Sequence, residues 1–286
     1  MEKKVKVTVL MDDLAGKAPR IKAHHGLSFL FDIAYSNGDS FSMMMDTGTM
    51  GEDLLHNMSV LEIYPESIDT CMITHKHYDH AGGLPEVLNN REKRLPVFLN
   101  GDCFVPGFSK TGWKYTGFPA SKERLELLGA NFIFVDEPVE ITPECYISGR
   151  VKKVEKRFQR SLGHTRIKNG RPEPEEYQEE LSFYIVEGDS VHVFSGCSHR
   201  GIVNICFDAL EKTGRKKLGI VMGGFHFTGA SINEIEQHIT ALEELKPIAV
   251  LSGHCTGFTG NALLFRRFGK QFNRYSAGDR FNLIFD

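Results

Sequence analysis

Short apolar runs, some alternating with polar residues and some continuous, recur along the whole chain. Residues 5–10 (VKVTVL) alternate with a period of two, as a strand with one wet face does. Residues 27–35 and 41–45 are more continuously apolar and flank Asn37-Gly38-Asp39, which predicts a hairpin. Further strands are expected over 69–73, 96–99, 131–135, 181–186, 191–195, 218–222, 248–251 and 281–285. Helical spacing covers 52–61, 85–91, 121–129 and 231–245, the third ending at Gly129 as a C-terminal cap.

Two stretches lack a period. Residues 101–120 are rich in glycine and aromatic residues, and 163–180 are charged with two prolines. Both read as loops, and long loops in a compact domain tend to serve function. Strands alternating with helices, without repeats or a composition break, imply an α/β layered domain running over 1–286.

Composition narrows the function classes. The 286 residues are 41% hydrophobic and carry a net charge of −3, so no basic footprint for nucleic acid or an anionic membrane is present. No run reaches the roughly 18 apolar residues of a membrane span. The six cysteines lie apart, without close-paired spacing, which fits reduced thiols and a cytoplasmic setting.

The chemistry is concentrated in residues 74–83, THKHYDHAGG. His75, His77, Asp79 and His80 fall within six positions at the end of a predicted strand. In extended chain alternate residues point the same way, so His75 and His77 can present both rings to one metal ion. Asp79 and His80 follow after the chain turns and can face a second ion. A pattern of three histidines and one aspartate at fixed places arises by chance in roughly one such chain in a thousand.

HxHxDH followed by Gly82-Gly83 resembles the signature of the metallo-β-lactamase superfamily. Asp46-Thr47-Gly48 resembles that family's strand-end motif, whose aspartate braces the metal loop. His25-Gly26-Leu27-Ser28, Gly196-Cys197-Ser198-His199, Gly223-Gly224-Phe225-His226 and His254-Cys255-Thr256-Gly257 resemble one branch of it. That branch is often labelled 7,8-dihydropterin-6-methyl-4-(β-D-ribofuranosyl)aminobenzene-5′-phosphate synthase. The resemblance runs over about 20–270 and implies a four-layer αββα sandwich with a one- or two-metal site.

It also implies further ligands in the second half. His254 stands where the family places its last histidine ligand. Cys197 stands where a bridging aspartate is usual, so either its thiolate serves or His199 does. Imidazole and thiolate both suit borderline divalent metals. The expected grouping is His75, His77 and His199 on one ion, and Asp79, His80 and His254 on the other. Zinc is the first choice, with manganese or iron fitting nearly as well. His226 is expected as a ligand or as a catalytic proton donor, with Asp79 orienting the nucleophile. His164 is expected as a surface residue, Glu173 to Glu180 as a solvated face, and Lys76 and Arg200 as contacts for an anion. Trp113, Tyr115 and Phe118 either flank a flat substrate ring or pack their loop.

A bound divalent ion brings the pKa of its water toward about 7. The reaction expected is therefore hydrolysis of a phosphoester or ester-like bond in a small anionic substrate. The branch label implies a pterin-condensing transferase instead, and a metal-dependent ligand-binding or sensor module is a third reading. A redox di-iron role ranks last.

Overall fold

The computed structural model describes residues 2–110, 113–152, 154–160 and 163–283. They gather into two compact units that interleave along the chain. The first takes its residues from Met1–Phe134, Gly163–Glu175 and Ser276–Asp286, the second from Val135–Leu162 and Glu176–Tyr275.

In the first unit the described residues form a seven-stranded sheet. Its order is Arg280–Leu283, Lys3–Met11, Ser28–Tyr35, Ser40–Met45, Thr70–Met72, Leu95–Leu99, Ala130–Phe134. The first four strands run antiparallel and the later pairs parallel. The predicted hairpin forms, with Phe29 opposite Met45 and Ala34 opposite Ser40, and Gly38 supplies the φ of 94° its turn demands. Helices Gly51–Val60, Leu84–Asn89 and Lys122–Leu127 lay Leu54, Met58, Leu84, Val87 and Leu125 onto Leu10, Leu30, Met44, Ile73 and Val97. Each such side chain contributes about 1.5–3 kcal/mol by leaving water. Ser121 caps the last of these helices, accepting from the Arg124 N–H at 3.2 Å, and Gly129 (φ 108°) follows it as expected. The strand expected at 281–285 is Arg280–Leu283; positions 284 and 285 lie outside the described residues.

One expectation fails here. Residues 163–180 are not all loop: Thr165–Lys168 and Arg171–Pro174 pair as a hairpin about Asn169-Gly170, and the first strand also pairs Gly107–Phe108. The two prolines are tolerated because Arg171–Pro174 is an edge strand, where missing N–H groups cost no ladder bond. Residues 101–120 stay largely irregular, with a 3₁₀ turn at Gly101–Phe104; residues 111 and 112 lie outside the described residues.

The second unit holds another seven-stranded sheet among its described residues. Its order is Phe272–Arg274, Ala249–Ser252, Lys217–Gly223, Ser190–Ser195, Ser182–Glu187, Cys145–Ile147, Val139–Thr142. Helices Ile202–Thr213, Ile232–Glu244 and Gly257–Phe268 cover its Val191, Val193, Leu218, Val221 and Val250 with Ile202, Ile205, Ile235, Ile239 and Leu264. Ser231 and Glu234 form a reciprocal capping box at the start of the second helix. The first and third helices were not expected. The first starts after Gly201 (φ 93°), where a Cβ would fall 1.9 Å from the Phe158 carbonyl oxygen, so only glycine fits. Mixed sheets covered by helices, with these motifs next to strand ends, agree with the metallo-β-lactamase expectation.

Candidate metal centre

The first donor group grows from the ends of two parallel strands. Met45 pairs with Met72 in register, so the chain leaves both strands at one edge. Asp46 follows the first and Thr74 and His75 follow the second. Asp46 is fully buried and sits at φ 61°, a left-handed backbone uncommon for non-glycine residues. Its Oδ1 accepts the Thr74 N–H at 2.7 Å, and its Oδ2 accepts both Thr74 Oγ1–H and His80 Nδ1–H, each at 2.7 Å.

These bonds fix the polarity of the imidazoles. The Thr74 hydroxyl hydrogen is committed to Asp46, so at 3.0 Å the His75 Nδ1–H donates to Thr74 Oγ1. In the neutral rings of His75 and His80, Nε2 is left carrying the lone pair, the form a metal ligand requires. His75 Nε2 lies 3.1 Å from His77 Nδ1, and the His75 and His80 rings are 4.1 Å apart. The Asp79 carboxylate is 3.7 Å from His80 Nε2 and 3.3 Å from His25 Nε2. The two rings of His75 and His77 meet although residues 75 and 76 form a bend beyond the strand end at Met72, and not the extended chain expected. Gly82 and Gly83 are needed for close approach: a Cβ on either would fall 2.2–2.3 Å from the Thr49 or Thr47 carbonyl.

Three expectations are corrected around this group. Lys76 does not face an anion; it is buried and paired with the equally buried Glu175. Glu175 in turn shows that the acidic run is not a solvated face, since Glu179 and Glu180 are buried as well. His164 is half-buried, with its ring 5.5 Å from that of His77. Its neighbours on the small sheet carry it there, which the charge of the segment hides.

The second donor group comes from three strands. Ser190–Ser195, Lys217–Gly223 and Ala249–Ser252 are parallel neighbours, and Ser195, Gly223 and Ser252 end them in register. Cys197 and His199, His226, and His254 follow these three ends. His226 (φ 48°), His254 (φ 45°) and Ser198 (φ 57°) all hold left-handed backbone. One ligand atom each from Cys197, His199 and His226 lies within 4.8 Å of the others. The His199 ring stacks on the buried Tyr177 at 4.1 Å and stands 4.5 Å from the His226 ring. Arg160 ties the two segments, its N–H to the His199 carbonyl and its Nε–H to that of His226.

Glu180, unforeseen in the sequence, accepts the His199 N–H at 2.8 Å and the Arg200 N–H at 2.7 Å. Burial pushes its carboxyl up to about 7 despite those two bonds. Arg200 is also corrected: its guanidinium donates to the Glu176 and Val151 carbonyls and braces backbone. Beside His254, burial pushes the Cys255 thiol up. A hydrogen bond with Cys197 and the charges of His254 and His226 outweigh this and leave it well below the usual thiol range. Of the remaining histidines, His24, His56, His192 and His238 bond to Asp53, the Arg20 carbonyl, Glu187 and two carbonyls respectively, in the structural roles expected.

The residues present fit a divalent metal. Buried imidazole, carboxylate and thiol groups form the donor set of borderline ions, and His226 Nδ1 is buried without a hydrogen-bond partner among the described residues.

Known proteins agree. A protein of Methanocaldococcus jannaschii named 7,8-dihydropterin-6-methyl-4-(β-D-ribofuranosyl)-aminobenzene-5′-phosphate synthase is 32% identical over 280 residues, 96% of this chain and 95% of the relative. An uncharacterised protein of the same organism is 28% identical over 255 residues, 88% of this chain and 91% of its own. The family described as anti-Pycsar protein Apyc1 matches residues 29–95. Among solved structures, Tm1679, a metal-dependent hydrolase of the β-lactamase superfamily, is 28% identical with a TM-score of 0.82, over 99% of this chain and 100% of that one. A diphosphatase from the PhnP family shares the fold at 13% identity and a TM-score of 0.52, over 99% and 98% of the two chains. The chain belongs to the metallo-β-lactamase superfamily, in the branch of the dihydropterin-aminobenzene phosphate synthase.

Proposed function

We propose that the protein is a metal-dependent hydrolase of a phosphoester or ester-like bond in a small anionic substrate. The metal donors are His75, His77, Asp79 and His80 in the first unit and Cys197, His199 and His254 in the second, and zinc is the divalent ion this donor set prefers. The observation that carries the reading is the Asp46–Thr74 network, which turns the lone pairs of His75 and His80 away from its own carboxylate. When bound, such ions acidify water at neutral pH and polarise the bond under attack. Asp46 keeps two imidazoles in one tautomer and so removes their reorganisation from the reaction. Asp79 orients the attacking water. His226 Nδ1, buried and without a hydrogen-bond partner among the described residues, carries the proton to the leaving group. The setting proposed is the cytoplasm, in keeping with six buried cysteines that lack close-paired spacing.

A second reading, favoured by the 32% identical relative, is a transferase joining a pterin to an aminobenzene ribosyl phosphate. Metal analysis of protein purified without added metal, followed by phosphomonoester, phosphodiester and carboxylic-ester panels, tests the first. Pterin diphosphate with an arylamine tests the second. Metal-dependent turnover abolished by chelation and restored by zinc is expected on the ester panel. Turnover of the pterin and arylamine pair alone would replace the hydrolase reading with the transferase, and a metal-free active protein would sink both.

A further inference from the structure

The loop over 101–120 divides its aromatic residues between two tasks. Phe118 is buried and packs on Phe104 at 5.0 Å, holding the loop to its own unit. Trp113 and Tyr115 are not buried: they are 61% and 47% exposed. Phe108 stands between them, 5.8 Å from the Trp113 ring and 5.6 Å from the Tyr115 ring. Leaving such rings in water costs solvation free energy that the fold could have avoided by small polar residues.

The exposed rings are held in place. Phe108 bridges Tyr115, Thr116 N–H donates to the Gly107 carbonyl at 2.8 Å, and Ser109 N–H to the Lys114 carbonyl at 2.8 Å. Trp113 itself holds φ 51°, backbone that costs free energy for a bulky residue. The base of the loop is attached to the metal motif. A Cβ on Gly107 would meet Lys76 Cε at 3.2 Å, and Lys76, between His75 and His77, is locked by Glu175. The Lys114 ammonium lies 5.8 Å from the centre of the Tyr78 ring, one residue before Asp79. Lys110 and Lys114, both exposed, add positive charge beside the rings.

We propose that Trp113, Tyr115 and Phe108 form a platform that binds the flat aromatic ring of an anionic substrate next to the first donor group. This deepens the hydrolase reading by naming its substrate class, and rests on that reading only for the platform's purpose. Stacking on such a platform favours a ring-bearing ligand about tenfold over one without a ring. Lys110 and Lys114 attract the anion without choosing the ring.

Trp113 is the single tryptophan of the sequence, so its fluorescence reports on the platform alone. The metal-loaded protein is titrated with phenylphosphonate and with methylphosphonate, which carry the same anion and resist hydrolysis. Phenylphosphonate is expected to change the Trp113 emission and to bind roughly tenfold more tightly. By calorimetry, Trp113→Ala should lose that preference and Trp113→Phe keep most of it, with metal content unchanged in both. Equal affinity for the two phosphonates, an unchanged preference in Trp113→Ala, or no binding of either at millimolar concentration overturns the platform. Ring-selective binding without turnover of any ester leaves the platform standing and removes the hydrolase reading. Turnover without ring selectivity does the reverse.

Discussion

In the first unit four candidate donors fall within six consecutive residues, His75 to His80, and one buried carboxylate orders two of their rings. In the second, Cys197, His199, His226 and His254 span 58 residues and are brought to one sheet edge by the register of three strands. The first group is wired locally and its side chains are oriented by side chains. The second is assembled by topology, and what orients it is backbone: left-handed residues, the Arg160 ties and the Glu180 carboxylate on two amides. Local wiring concentrates sensitivity in a few polar atoms, while assembly by register spreads it over a core.

The largest effect should come from removing a donor of the local group. His77→Ala is expected to lower metal affinity more than about a hundredfold and to take turnover to background, read by metal analysis after gel filtration. Full metal content in that variant would end the assignment. Next comes Asp46→Asn. One amide oxygen cannot accept from the Thr74 N–H, the Thr74 hydroxyl and His80 together, so metal affinity should fall roughly 10–100-fold, measured by competition with a chromophoric chelator. Glu180→Gln in the same assay should cost only about threefold or less, because Glu180 holds backbone and not a ring. A Glu180→Gln loss equal to that of Asp46→Asn would erase the contrast between the two groups.

The smallest effect belongs to the core of the second unit. His238, on helix Ile232–Glu244, reaches the Phe158 carbonyl, and burial holds its imidazole below the usual range. Its folded form therefore binds its proton less readily than the unfolded chain, and its contribution to stability falls as pH drops below about 6.5. Urea midpoints of the wild type and His238→Gln should differ more at pH 7 than at pH 5. A difference that is constant with pH would show that this ring does not titrate on unfolding.

How much of this the sequence carried follows from the same contrast. The HxHxDH group was legible as a cluster because its donors are close in sequence, and His75 and His77 do approach to 3.1 Å. The hairpin about Gly38 and the capped helix ending at Gly129 were legible for the same local reason. Glu180 and Tyr177 were not, because their roles depend on where an acidic segment passes in the folded unit. The hairpin at 165–174 was hidden by its prolines, although Asn169-Gly170 is a strong turn signal that could have exposed it. Helix Ile202–Thr213 opens on a glycine without a side-chain cap, and so lacks the signal that made Ser231 and Ser121 visible.

The pairing of Lys3–Met11 with Arg280–Leu283 has a consequence for how the protein is made. During synthesis the first strand can meet Ser28–Tyr35 early, but its other edge waits for Arg280–Leu283, far along the chain. At 5–20 residues per second that interval is on the order of 15–55 s. For that time the nascent sheet offers an unpaired edge, the form most prone to join a strand of another chain. Lys4 and Lys6, exposed on that strand, supply the charge that makes such a union costly until Arg280–Leu283 pairs with it.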